Sequence, residues 1–93
     1  MTTLQGLRER IDRLDDRLLT LLNRRADLSV RVGRIKREKG LPVVNRSREA
    51  GVLSRLVRES RGPLTAASVR TIFRTIFRQS RKLQSSGRHS RKD

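Results

Sequence analysis

Ninety-three residues make one small domain. The absence of cysteine excludes a disulfide scaffold and a thiolate metal site, and the lone histidine, His89, in a polar tail leaves no histidine metal centre or triad. The formal net charge of +15 invites a nucleic-acid reading, but the basic residues run from Arg8 to Lys92 without forming one block, and no aromatic residues interleave with them to stack bases. No apolar run approaches the ~18 residues of a membrane span and no signal peptide opens the chain, so the expectation is a cytoplasmic protein without a membrane segment.

The stretch from Thr3 to Lys39 carries the main structural signal. Steps of three and four visit Leu4, Leu7, Ile11, Leu14, Leu18, Leu21, Arg25, Leu28, Val32 and Ile35, and nine of these ten positions are apolar. That repeat predicts one long helix with a continuous buried stripe, widened by Leu19 and Leu22. Thr2 and Gln5 have capping-box spacing for its start, and Gly40 and Pro42 stop it. A rod of this length, about 54 Å, overhangs any core the remaining residues can build. A second copy of the chain, packed seam to seam, is the expected remedy. Arg25 interrupts the stripe. A guanidinium among leucines requires an anion, supplied either by an internal carboxylate or by a ligand. Gly33, inside the helical pattern, fits either a close approach by another backbone or ligand or simple tolerance of glycine.

Asn45 or Ser47 can cap a second helix over about 46–61, with Val52, Leu53, Leu56 and Val57 as its apolar face. One turn before Val52 stand Arg48 and Glu49, charged residues at the start of that face. Gly62-Pro63 ends this helix. Thr65 caps a third, with Leu64 and Val69 placed as a hydrophobic staple. Its stripe runs Val69, Ile72, Phe73, Ile76, Phe77 and continues to Ser80, Leu83 and Gln84, turning from apolar to hydrogen-bonding. Arg70, Arg74, Arg78 and Arg81 are expected on the opposite, solvated face. The predicted domain is 1–84, all-α with three helices, followed by a disordered basic tail, 85–93, without an apolar residue.

Each helix thus brings polar groups to its inner face: Arg25 and Lys36 from the first, Arg48 and Glu49 from the second, Ser80 and Gln84 from the third. Arg8, near the start of the rod, could reach the middle of a partner in an antiparallel dimer. Such a cationic pocket suits a small dianion. It has no nucleophile with a base partner, so any catalysis there works by binding, orientation and electrostatics.

These residues resemble the all-helical chorismate mutases, including the mutase domains fused to prephenate dehydratases. The likeness covers LRERIDRLDDRLLTLLNRRADLSVRVGRIK, then LPVVNRSREAGVL, then IFRTIFRQSRKLQ, from about Leu4 to Gln84. It implies an intertwined helical homodimer with two active sites, each built from both chains. It also implies a cofactor-free rearrangement of chorismate to prephenate, in the biosynthesis of aromatic amino acids.

By motif, Arg25 matches the buried carboxylate-binding arginine and Arg8 the arginine delivered by the partner chain. Lys36 matches the lysine on the ether oxygen and a carboxylate, and Arg48 and Glu49 the pair at the start of the second helix, the glutamate holding the ring hydroxyl. Ser80 matches the contact to the ring carboxylate and Gln84 the contact to the ether oxygen. Asn45 stands where many members carry aspartate; asparagine can still cap the helix and bond a hydroxyl. Lys36, Gln84 and Arg25 are the expected catalytic set. Three other readings stand beside this one: an isochorismate–pyruvate lyase on the same fold, a basic helical dimer that binds nucleic acid, and a regulatory or inactive mutase-like subunit. The high positive charge also fits contact with an acidic partner, such as another shikimate-pathway enzyme.

Overall fold

The leucine repeat forms one uninterrupted helix. The computed structural model describes residues 2–85, which fold as α1 (Leu4–Lys39), α2 (Arg46–Glu59) and α3 (Ala66–Ser85). Thr3, not Thr2, caps α1: its hydroxyl accepts from the Gly6 backbone N–H at 2.9 Å. At the other end Gly40 takes φ 68°, the left-handed conformation that glycine adopts without steric cost. Its N–H returns to the Arg37 carbonyl, while Leu41 bonds to that of Lys36.

Asn45 begins α2, accepting from the Arg48 N–H at 3.0 Å. The helix stops at Glu59 with Ser60 as its cap, ahead of Gly62-Pro63. Thr65 starts α3 by accepting from the Ser68 N–H. α3 includes Ser85, one residue past the expected domain boundary. The rest of the expected tail, with His89, lies outside the described residues.

The face that α1 buries is not the leucine stripe. Within the chain it packs Ser29 and Gly33, both buried, and the half-buried Ala26 against α3. The stripe positions Leu4, Leu7, Ile11, Leu14, Leu18, Leu21, Leu28, Val32 and Ile35 remain 41–65% exposed. Small side chains decide this choice, because they let two helix backbones approach. A Cβ built on Gly33 would stand 2.6 Å from both the Cα and the carbonyl oxygen of Gln84 in α3. Of the two reasons for a glycine here, close backbone approach is the one realised.

α2 packs against α3 on the other side. The whole measures 57 × 34 × 14 Å. A 14 Å thickness is little more than the ~10–12 Å of one helix with its side chains, so the chain is close to a single layer. A single layer has almost no interior, and among the described residues Val69 and Phe77 are the buried apolar side chains.

Gly33→Ala tests the close approach. Chemical denaturation should show a loss of about 1–3 kcal/mol from overpacking, despite alanine's better helix propensity. Gly51→Ala is the control: beyond its own helical backbone and chain neighbours nothing lies within 4 Å of a Cβ built there, and it should hold or gain up to about 1 kcal/mol.

Candidate active site

A cavity of about 410 Å³ opens where the last third of α1, the start of α2 and the end of α3 converge. Its size falls in the ~300–1,000 Å³ range of small-molecule sites. Four cations line it, Arg25, Lys36, Arg48 and Arg81, against one carboxylate, Glu49.

Arg25 answers the question posed by its place in the stripe. It meets no carboxylate among the described residues. Its guanidinium donates to the Ser80 hydroxyl and lies 5.6 Å from the centre of the Phe77 ring. Burial first, and then the nearby Arg48 cation, push its pKa below the ordinary arginine value. Both effects penalise the charged form, yet an arginine remains a cation at neutral pH. Among the described residues no anion answers this charge, which leaves it available to a ligand.

Lys36 is held by two acceptors: its ammonium donates to the Val43 carbonyl at 2.7 Å and to Gln84 Oε1 at 2.8 Å. The bond from Lys36 sets the amide orientation of Gln84. The oxygen is occupied, and Nε2 has no partner among the described residues. The backbone of Gln84 is fixed as well, since Arg37 donates to its carbonyl at 2.8 Å. One ammonium hydrogen and one amide group are thereby left as donors at the cavity wall.

From α2, Glu49 and Arg48 both line the cavity, and Glu49 is half-buried. Their helical turn is therefore part of the cavity wall, although Arg48 keeps contact with solvent. Asn45 lines the same cavity, but its Oδ1 already accepts from the Arg48 N–H and the Ser47 hydroxyl.

The structure thus brings Arg25, Lys36, Asn45, Arg48, Glu49, Ser80 and Gln84 into one cavity. Arg8 stays out of it. It is exposed on α1, 17 residues before Arg25, or about 25 Å along the rod. Arg81 corrects the sequence expectation: its guanidinium lies not on the solvated face but against Glu49, with both carboxylate oxygens accepting from one nitrogen at 2.7 and 2.6 Å. A helical signal for this existed, because Arg81 follows the buried Phe77 by four residues. Following the apolar stripe to Leu83 led past it. The Val43 carbonyl, a backbone group in a loop, left no sequence signal at all. Among the described residues no cluster of acidic, histidine or cysteine side chains could hold a metal, and no helix is long and apolar enough to cross a membrane.

Known proteins share this fold. The family model for chorismate mutase type II matches residues 7–85. The chain belongs to the type II chorismate mutase family. A bifunctional chorismate mutase/prephenate dehydratase of Pseudomonas aeruginosa is 40% identical over 79 residues, 80% of this chain and 22% of that protein. The T-protein of Haemophilus influenzae is 32% identical over 81 residues, again 22% of its own length. The chain therefore spans about a fifth of these curated relatives. Solved structures match over nearly their full length. A chorismate mutase from Thermus thermophilus superposes with TM-score 0.88 at 35% identity, covering 89% of this chain and 94% of that one. One from Helicobacter pylori, in complex with prephenate, superposes with TM-score 0.85 at 30% identity, covering 96% and 97%.

In this chorismate mutase family member, a half-buried cation with no carboxylate partner among the described residues should destabilise the empty fold. Arg25→Met is expected to leave thermal stability unchanged or higher. The parent chain should gain about 2.7 kcal/mol when a bound dicarboxylate is present at a hundred times its Kd, and the variant should gain none. Thermal melts with and without prephenate check both halves.

Proposed function

We propose that the chain catalyses the rearrangement of chorismate to prephenate, as a homodimer whose two sites each draw on both chains. The observation that carries this reading is Arg25, a half-buried cation that meets no carboxylate among the described residues, facing the cavity that holds the Lys36–Gln84 pair. The reaction is unimolecular and pericyclic: one C–O bond breaks as one C–C bond forms. It needs no nucleophile, and the cavity supplies none with a base partner. It needs the substrate held compact, with both carboxylates fixed, and it needs donors where charge develops.

Arg25 and Ser80, with Arg48 and the partner chain's copy of Arg8, supply the carboxylate contacts. Glu49 accepts from the ring hydroxyl. As the C–O bond lengthens, negative charge gathers on the ether oxygen. The remaining Lys36 hydrogen and the Gln84 amide then bond more strongly than they did in the ground state, and only such a difference raises the rate. Because Val43 and Gln84 already hold the ammonium, little reorganisation is required at that moment.

The dimer is supported by two features of the single chain. Arg8 cannot reach its own cavity. The leucine stripe is still about half exposed, and completing its burial is worth on the order of 10 kcal/mol before the cost of association. An antiparallel partner rod would cover the stripe and carry Arg8 across.

Purified protein should convert chorismate to prephenate, with product identification separating this from the lyase reaction. Arg25→Ala and Lys36→Ala should each lower kcat/KM by about 100- to 1,000-fold while sedimentation still shows a dimer. Activity within a few-fold of the parent would remove the assignment. Gln84→Glu should make the rate rise as pH falls, because only the protonated acid donates to the ether oxygen. Refolding Arg8→Ala and Arg25→Ala chains together should recover about a quarter of the parental activity, since each mixed dimer regains one intact site. No recovery would place both arginines in the site of a single chain.

A further inference from the structure

The mechanism above gives Arg81 no part, although Arg81 makes the tightest ion pair in the cavity. One of its terminal nitrogens donates to both Glu49 oxygens, at 2.7 and 2.6 Å. The two side chains keep 31% and 26% exposure, which sets the pair at the cavity edge. Glu49 reaches from α2 and Arg81 from α3, so the pair fixes the carboxylate across the gap between two helices.

The charge inventory shows why that matters. Glu49 is the one carboxylate in the lining, and Arg25, Lys36 and Arg48 are the cations that await a dianion. An untethered carboxylate in such company competes with the substrate for those cations. Its electrostatic minimum is the site the substrate has to occupy. Tethering by Arg81 removes that competition. Each oxygen gives up one lone pair to the shared nitrogen, and a lone pair on each remains to accept a hydroxyl hydrogen.

We propose that Arg81 is a positioning residue that holds Glu49 off the substrate-binding cations and in place for the ring hydroxyl. This rests on the mutase reading. It assigns to Arg81 an effect that passes through Glu49 and not through contact with substrate. Loss of Arg81 therefore appears mainly in KM, because substrate must displace a mobile carboxylate to bind. Catalysis after binding changes less, since Arg25, Lys36 and Gln84 are untouched.

A double-mutant cycle on the full chain tests it, with Arg81→Met, Arg81→Lys, Glu49→Gln and Arg81→Met combined with Glu49→Gln, each confirmed folded by circular dichroism. Steady-state turnover of chorismate should show Arg81→Met raising KM about tenfold with kcat within about threefold of the parent. Arg81→Lys should recover most of the loss. In the Glu49→Gln background, Arg81→Met should change KM by less than about twofold, because the amide carries no charge to restrain. Equal losses in both backgrounds overturn the proposal, since Arg81 then acts on the substrate or on packing directly. No loss in either background overturns it too, because the ion pair is then idle. If Arg81→Met does not fold, Arg81→Gln takes its place in the same cycle. A parent chain that turns over no chorismate fails the mutase reading and this inference with it; an active parent with an additive cycle fails the inference alone.

Discussion

The backbone of α3 meets α1 at Gly33 more closely than any side chain on that residue would permit. The geometry of the cavity depends on this approach. Because the two backbones touch there, the Gln84 amide comes within reach of Lys36, one turn further along α1. Two turns before Gly33, Arg25 reaches the Ser80 hydroxyl. The small residues at Ala26, Ser29 and Gly33 set the distance at which the contacts between α1 and α3 are made. A bulkier seam would separate the helices and leave the same polar groups too far apart to act together.

The cavity built on this contact is charged before it is filled. Arg25, Lys36, Arg48 and Arg81 outnumber Glu49, and in a single-layer chain no deeper interior supplies further anions. Desolvation of Arg25, and after it the repulsion from Arg48, both lower the pKa of that guanidinium and are a cost of the empty state. A dianionic ligand relieves it, so part of the binding free energy is prepared by the fold.

Much of this was legible in the sequence. Periodicity found three helices, and the stop at Gly40 and the starts at Asn45 and Thr65 follow from local chemistry that does not depend on tertiary context. Charged or polar residues on apolar faces located Arg25, Lys36, Arg48, Glu49, Ser80 and Gln84. What a pattern of apolar residues could not disclose was which face of α1 the chain would cover by itself. The leucine repeat is the louder signal, yet the quieter run of Ala26, Ser29 and Gly33 receives α3, because close backbone approach is invisible to a count of hydrophobic side chains. Arg81 was missed for a related reason: an arginine next to other exposed arginines reads as solvated, and its partner Glu49 lies 32 residues away on a different helix.

Leu28 and Val32 occupy a double position. They belong to the exposed repeat along α1, and they also line the cavity. In the proposed dimer, one side chain at each place contributes at once to the fit between chains and to the wall against which a substrate rests. Change at these two sites is constrained from two directions: a substitution that reshapes the pocket alters how the rods pack, and one that adjusts the packing alters the pocket. Substrate preference and assembly can then drift only together, whereas the exposed faces of α2 and α3 are released from both demands. An arginine-rich surface can accumulate there without consequence for either.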